Sequence, residues 1–243
     1  MPKSYLALGG GVNSTALLIE IIRRKEPLDA IVFADTGGER PETYAYLDVL
    51  SKWLASTGAP EIETVKHVAP ITGDKTLEEE MLRLGNLPSK AYGGSTCSLK
   101  WKLEPQQKWL KRKGWELPCI AYVGFDAGES NRAEKLHTDE YTTGRAPLIE
   151  WGIDRDACVE IIAAAGLPVP PKSSCFFCPS MRKHEILSLK DNHPDLYERA
   201  LEMERRAAPK LTTLKGLGRT WSWDDVEKID GMFSPESCSH CIG

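Results

Sequence analysis

The chain has 243 residues, 41% of them apolar and 27% charged. That balance excludes a disordered, collagenous or coiled-coil protein and leaves room for one large domain, or one domain with an appendage. With 31 Lys and Arg against 35 Asp and Glu, the formal charge is −4; no global field draws the protein to nucleic acid or anionic lipid, and any bound anion must be held locally.

The opening residues reach a short apolar stretch, Tyr5 to Leu8, and then three glycines. This is neither a signal peptide nor a membrane span, so a cytoplasmic protein without a membrane partner is expected. Tyr5-Leu6-Ala7-Leu8 reads as a buried strand broken by Gly9-Gly10-Gly11. Asn13-Ser14-Thr15 is placed to cap a helix whose apolar residues Leu17, Leu18, Ile21 and Ile22 share one face. Ala30 to Ala34 is a second, all-apolar strand ending at Asp35-Thr36-Gly37-Gly38, and Pro41 opens a helix through about Leu54. Ile62 to Val68 predicts a third strand, Cys119 to Val123 a fourth and Ala146 to Ile149 a short fifth, followed by a helix from Asp154 to Ala165. The run of cations from Lys100 to Lys113 reads as a solvated helix face. After Gly166 a proline-rich segment leads to Cys175 and Cys178, two polar helices near 181–190 and 194–207, and a Trp-rich tail. The reading is an α/β fold, Rossmann-like, with a parallel sheet flanked by helices; residues 1–166 form a nucleotide-binding domain and 167–243 a helical, cysteine-bearing cap.

A strand that stops at Gly9-Gly10-Gly11-Val12-Asn13-Ser14-Thr15 and turns into a helix presents bare N–H groups and the positive end of a helix dipole at one point. Phosphate is the natural guest, although glycine-rich strand-to-helix turns also occur in α/β folds with no ligand. The loop is neither the Gly-Lys-Ser/Thr phosphate loop nor the dinucleotide Gly-x-Gly-x-x-Gly.

Gly9 to Ser14 resembles the Ser-Gly-Gly-x-Asp-Ser pyrophosphate loop of the adenine nucleotide α-hydrolase-like (PP-loop) superfamily. Asp35-Thr36-Gly37-Gly38-Glu39-Arg40-Pro41-Glu42-Thr43-Tyr44 is similar to the Asp-Thr-Gly…Pro-Glu-Thr-Tyr stretch of phosphoadenosine phosphosulfate (PAPS) reductases. Gly124 to Arg132 resembles that family's Gly-(Ile/Leu)-Arg…Glu-Ser-x-x-Arg loop, Cys97 to Pro105 its Cys-x-x-x-Lys…Pro segment, and Pro147-Leu148-Ile149-Glu150-Trp151 its Pro-Leu-x-x-Trp. The resemblance covers roughly residues 4 to 180 in the family's order. It implies an adenine nucleotide, ATP or PAPS, bound by Gly9, Gly10, Gly11, Asn13, Ser14, Thr15, Asp35, Thr36, Gly37, Lys100, Lys102, Gly124, Glu129 and Arg132. Asp35, Lys100 and Cys241 become the candidate catalytic groups, with Mg²⁺ to neutralise leaving phosphates. Two departures stand out: Asn13 replaces the loop's usual Asp and Gly9 its usual Ser, which removes a carboxylate and a hydroxyl from the phosphate site.

Cys175-x2-Cys178 and Cys238-x2-Cys241 have the spacing that lets both sulfurs of a unit reach one metal. The resemblance implies a four-iron, four-sulfur cluster held by Cys97, Cys175, Cys178 and one of Cys238 or Cys241, although the family's Cys-Cys pair reads Thr96-Cys97 here. A structural zinc site on the two Cys-x2-Cys units, or thiols without metal, stay open. Cys119 and Cys158 lie among apolar neighbours and read as buried structural thiols.

Three functions follow. With ATP, attack on the α-phosphorus releases pyrophosphate and leaves an adenylylated acceptor. With PAPS, a thiolate from Cys241 or Cys238 attacks the sulfonate sulfur, and a thioredoxin-like protein is the expected reductant. Relatives of these reductases also accompany mobile elements, including CRISPR systems and DNA sulfur-modification clusters, so an accessory protein that binds ATP without reductase activity is the alternative.

Overall fold

The computed structural model describes residues 2–134, 136 and 138–228. In chain order the elements are β1 (Ser4–Leu8), α1 (Val12–Arg24), β2 (Ala30–Asp35), α2 (Pro41–Leu54), β3 (Ile62–Lys66), α3 (Leu77–Leu84) and the short α4 (Thr96–Ser98). A π-helical stretch, Leu99–Leu103, then runs into α5 (Glu104–Lys113). After these come β4 (Cys119–Val123), the short α6 (Ser130–Ala133), β5 (Thr142–Arg145), the one-turn α7 (Pro147–Glu150), α8 (Arg155–Ala164), α9 (Lys183–Asn192) and α10 (Pro194–Ala207). No described helix is long and apolar enough to cross a membrane.

The chain divides into two compact units. The first comprises the residues up to Asp35, Glu39–Val65 and Leu103–Ser173; the second comprises Thr36–Gly38, Lys66–Lys102 and the segment from Ser174 onward. The second unit therefore draws on residues 66–102 as well as on the C-terminal segment.

The first unit holds the five-stranded sheet, in the order β3-β2-β1-β4-β5. β1 lies parallel to β2, with Leu6 opposite Ile31, and parallel to β4, with Leu6 opposite Tyr122; β4 lies parallel to β5. Every residue of β2 is buried, as a strand covered on both faces requires. One face packs Leu6, Leu8 and Ile31 with Leu17, Leu18 and Ile21 of α1 and Ile162 of α8. The other packs Tyr5, Val32 and Ala121 with Trp109 and Leu110 of α5. The order reverses between β1 and β4, so the carboxyl ends of these two strands form the topological switch point, where open α/β sheets take their ligands.

The fifth strand is corrected. Ala146 to Ile149 is not extended: Pro147 sits at the first position of α7, and the strand is Thr142–Arg145, immediately before it. Proline has no N–H for a ladder, and its fixed φ suits a helix start. β3 also ends at Lys66, two residues short of the expected Val68, which is 63% exposed.

In the second unit α3, α9 and α10 surround a core that includes Leu77, Trp101, Phe176, Phe177, Ile186 and Trp223. Glu204 of α10 is buried within it. Its Oε1 accepts the N–H groups of Leu217 at 2.6 Å and Trp223 at 3.1 Å, and its Oε2 accepts the Ser222 hydroxyl. A Cβ on Gly216 would lie 2.3 Å from Glu204 Oε1, so glycine is what lets the 216–223 loop close on the carboxylate. Glu204→Ala strands buried donors, and we expect a loss of about 3 kcal/mol, measured by denaturant titration. Burial raises the Glu204 carboxyl above its ordinary range, ahead of the hydrogen bonds that lower it. Its stabilising term is therefore full below the unfolded carboxyl value and lost as pH rises through the raised one. Glu204→Gln, whose amide oxygen keeps both backbone donors, should flatten that slope in pH-resolved melts.

Candidate functional site

At the switch point, Gly9-Gly10-Gly11 leaves β1 and α1 begins at Val12. The N-cap is Gly11, and no side chain caps the first turn. The expected capping by Asn13, Ser14 or Thr15 is corrected: Ser14 Oγ donates back to the Gly11 carbonyl at 3.1 Å, Asn13 turns elsewhere, and Thr15 is wholly buried with no hydrogen-bond partner for its Oγ1. The first-turn N–H groups are thus left without a side-chain partner at the positive end of the helix dipole. Gly10 has φ +73°, the left-handed region that glycine tolerates, and a Cβ there would lie 3.1 Å from Thr43 Cγ2. Gly124, immediately after β4, approaches the α1 backbone closely: its Cβ would stand 2.8 Å from Ser14 N and 2.9 Å from Ser14 Cα. Only glycine lets the β4 loop touch the backbone of the α1 start.

Asn13 is the centre of a polar network. Its Nδ2 donates to Asp126 Oδ2 at 2.8 Å and to Glu129 Oε2 at 2.9 Å, while Arg155 Nη1 donates to its Oδ1 at 2.7 Å. These partners fix which end of the amide is which. Asp126 and Glu129 are held by their own capping box: Asp126 Oδ1 accepts Gly128 N–H, and Glu129 Oε2 accepts Asp126 N–H. Arg132 pairs with Glu129 and stacks 4.5 Å over the Phe125 ring. An amide is the group this pocket needs, because a carboxylate at 13 would face two others. Asn13→Asp, which restores the usual loop residue of the resembled family, should therefore cost about 1–2 kcal/mol at neutral pH. Asp126→Asn in that background should recover most of it, a coupling that a double-mutant cycle in thermal melts reads directly.

Asp35, at the carboxyl end of β2, is 5% exposed and accepts the Tyr44 hydroxyl at 2.7 Å. Burial, and then that bond to Asp35, push the Tyr44 phenol far above its ordinary value. Tyr44 acts as a fixed donor that aims the carboxylate.

In the second unit, residues 36–38 are clamped. The Thr36 carbonyl accepts Leu77 N–H at 3.0 Å, the Gly38 carbonyl accepts Phe176 N–H at 2.8 Å, and Cβ atoms on Gly37 or Gly38 would run into Thr76 or the Phe177 ring. Thr36 Oγ1 lies 3.2 Å from Cys175 Sγ. Lys100 is paired with the buried Glu80, whose second oxygen accepts Trp101 Nε1 at 2.8 Å. Lys100 and Arg132, expected as phosphate counter-charges, are thus each engaged by a carboxylate.

The described cysteines form no disulfide. Cys97, Cys175 and Cys178 all pack against the core of the second unit, but among the described residues no three His, Cys, Asp or Glu side chains stand together as a metal site. Among the described residues, Cys175 and Cys178 offer two sulfurs on one turn, closed by Cys178 N–H to the Cys175 carbonyl at 3.0 Å. Cys238 and Cys241 lie outside the described residues. Cys119 and Cys158 are fully buried, and burial pushes their thiols up to about 11 and about 12, as expected of inert structural cysteines.

Sequence reasoning missed Asp126, Glu80 and Arg155 as partners of site residues. Asp126 carried a signal, since it stands where the resembled Gly-(Ile/Leu)-Arg motif has Arg; Glu80 and Arg155 carried none.

The fold and this loop define a class: a parallel α/β protein with a glycine-rich strand-to-helix turn and an uncapped helix start at the sheet's switch point. Known proteins compare as follows. No protein-family model matches the chain. The uncharacterized protein MJ0066 of Methanocaldococcus jannaschii is 25% identical over 230 residues, an alignment covering 89% of this chain and 43% of that protein. The chain thus spans less than half the length of the curated relative it matches. Among solved structures, a phosphoadenylyl-sulfate (PAPS) reductase from Candida auris, in a phosphate complex, is similar with a TM-score of 0.45 and 19% identity, covering 70% of this chain and 76% of its own. The U34-tRNA thiolase NcsA from Methanococcus maripaludis, with its [4Fe-4S] cluster, is similar with a TM-score of 0.48 and 18% identity, covering 85% and 73%.

Proposed function

We propose that this chain is a PAPS-reductase-like member of the PP-loop superfamily and that it binds an adenine nucleotide by the phosphates at Gly9–Thr15. One observation carries the reading: α1 starts at the switch point with Gly11 as its cap and no side chain on its first-turn donors. The residues resembling the family's Asp-Thr-Gly and Glu-Ser-x-x-Arg loops follow β2 and β4, at the same edge of the sheet as the glycine loop. Asp35, aimed by Tyr44, is the group proposed to orient an attacking nucleophile. Asp126 and Glu129 are the carboxylates beside the loop, but each of their oxygens already accepts a hydrogen bond, from Gly128 N–H, Asn13 Nδ2, Asp126 N–H or Arg132, so no Mg²⁺ step is assigned to them. The described residues do not gather the donors of a cluster or a zinc site, so no step is assigned through one.

The reaction is proposed to be attack at the α-phosphorus of ATP. The bond from that phosphorus to the bridging oxygen breaks, pyrophosphate leaves, and an acceptor is adenylylated. The glycine loop supports ATP, since it resembles the pyrophosphate loop of the PP-loop superfamily, whereas the PAPS reading requires a thiolate from Cys241 or Cys238, both outside the described residues. Incubating the protein with ATP and with PAPS side by side tests the choice. Pyrophosphate from ATP is the expected product. Sulfite from PAPS in the presence of thioredoxin, lost in Cys241→Ser, would replace this reading with the reductase, and saturable binding with neither product would leave a nucleotide-binding module.

A further inference from the structure

A cleft of about 420 Å³ opens in the second unit between α3 and the 86–101 segment, and no residue of the glycine loop lines it. Its floor is apolar: Leu77, Met81, Leu87 and Trp101 are each at most 9% exposed. Its wall carries Asn86, Ser89, Tyr92, Cys97, Lys100 and Glu80.

Donor and acceptor accounting shows what this wall can recognise. Both Glu80 oxygens are taken, one by Lys100 and one by Trp101 Nε1. The Asn86 oxygen is taken twice, by Leu87 N–H at 2.9 Å and by the Tyr92 hydroxyl at 2.6 Å. The backbone donor fixes the amide orientation, so Nδ2 keeps two protons for a guest. Ser89 Oγ accepts Cys97 N–H at 2.9 Å and keeps its own proton. Lys100 keeps the ammonium protons that Glu80 does not use. The carboxylate and amide oxygens are therefore occupied, and what the cleft offers is protons beside an apolar floor. Its volume lies in the range of small-ligand pockets, which pair an apolar lining with a few converging polar groups.

We infer that this cleft is a binding site for a small organic anion, a carboxylate or sulfonate on an apolar body, gripped by Asn86 Nδ2, Ser89 Oγ and Lys100 Nζ. The site uses none of the Gly9–Thr15 loop, and in it Lys100 serves the organic anion instead of the nucleotide that the resemblance implied for it. Cys97, on the same wall, reports its occupancy.

The test uses the full chain with benzenesulfonate, benzoate and benzylamine as probes, and follows alkylation of Cys97 by iodoacetamide in peptide mass spectra. Both anions, or one of them, should slow Cys97 labelling saturably, and benzylamine should not. Asn86→Asp keeps the oxygen that Leu87 and Tyr92 use but replaces the free amide protons with negative charge. It should weaken the protecting anion at least about tenfold, the scale of losing one charge-assisted contact, and let benzylamine protect instead. Ser89→Ala should weaken the anion by a smaller factor. Protection by benzylamine equal to that by the anions, no protection by either anion, or unchanged anion affinity in a folded Asn86→Asp would overturn the assignment. Gly9→Asp must leave anion protection intact, and Asn86→Asp must leave any ATP-induced thermal shift intact. Cross-talk in either direction would sink the claim of a separate site while leaving the nucleotide reading standing.

Discussion

Gly9→Asp should abolish nucleotide binding while leaving the unliganded protein's stability nearly unchanged. The loop tolerates a side chain at this position: a Cβ on Gly9 meets only Ser14 Oγ, at 3.7 Å, and the residue is not in the left-handed region. Gly10→Asp is the less informative substitution, because φ +73° and the 3.1 Å approach to Thr43 would strain the turn whatever it binds. A carboxylate at residue 9 stands beside the uncapped start of α1, where it competes with phosphate for the same N–H groups and repels what it does not displace. A ligand at a hundredfold excess over its Kd stabilises by about 2.7 kcal/mol. For a chain of this size that is a thermal shift of roughly 5–10 °C. Differential scanning fluorimetry with ATP and with PAPS should show that shift in the wild type and none in Gly9→Asp. A variant that melts like the wild type and is stabilised equally by either nucleotide would remove the glycine loop from the account.

What the sequence discloses of this site, and what it hides, divides along the reach of the interactions. β1, β2 and β4 are short apolar runs bounded by Gly or Asp, and α2 opens on Pro41 and closes at Leu54 as expected, because local patterning and turn chemistry decide such elements. The stretch at Ala146 misleads because apolar character alone does not separate a buried strand from one turn of helix; Pro147 was the residue to heed. α3 is legible after all: Leu77 and Met81 stand at helical spacing and are buried, and Thr76, three residues before Glu79, caps the start by accepting Glu79 N–H. Asn13 looked like a cap because caps are local. Its actual partners are 113, 116 and 142 residues away, and no spacing rule reaches that far. A separation of 20 residues, beyond any helix or turn spacing, likewise hid Glu80 from Lys100 and turned an ion pair into an apparent phosphate ligand.

Gly124→Ala should be the most damaging single-methyl change in the first unit, and its effect should fall on both folding and ligand binding. The added Cβ would lie 2.8 Å from Ser14 N, 2.9 Å from Ser14 Cα and 3.0 Å from Asn13 C, all backbone atoms that no rotamer change can move aside. Either β4 withdraws from β1, at the cost of the parallel register that pairs Ala7 with Val123, or the first turn of α1 shifts away from the switch point. Overpacking of this kind costs about 2–3 kcal/mol, which corresponds to a melting point lower by roughly 5–10 °C. The second route also displaces the amides proposed to hold phosphate and pulls Asn13 from Asp126 and Glu129, so nucleotide affinity should fall even at temperatures where the variant is folded. Gly128→Ala provides the control on the same loop: its Cβ would meet only Asp126 Oδ1, at 3.1 Å, a side-chain atom and not the α1 backbone. Measured together by thermal melts and nucleotide titration, the two variants separate contact with the α1 backbone from any general intolerance of the loop. Equal behaviour would mean that the close approach of Gly124 to Ser14 has no part in building the site.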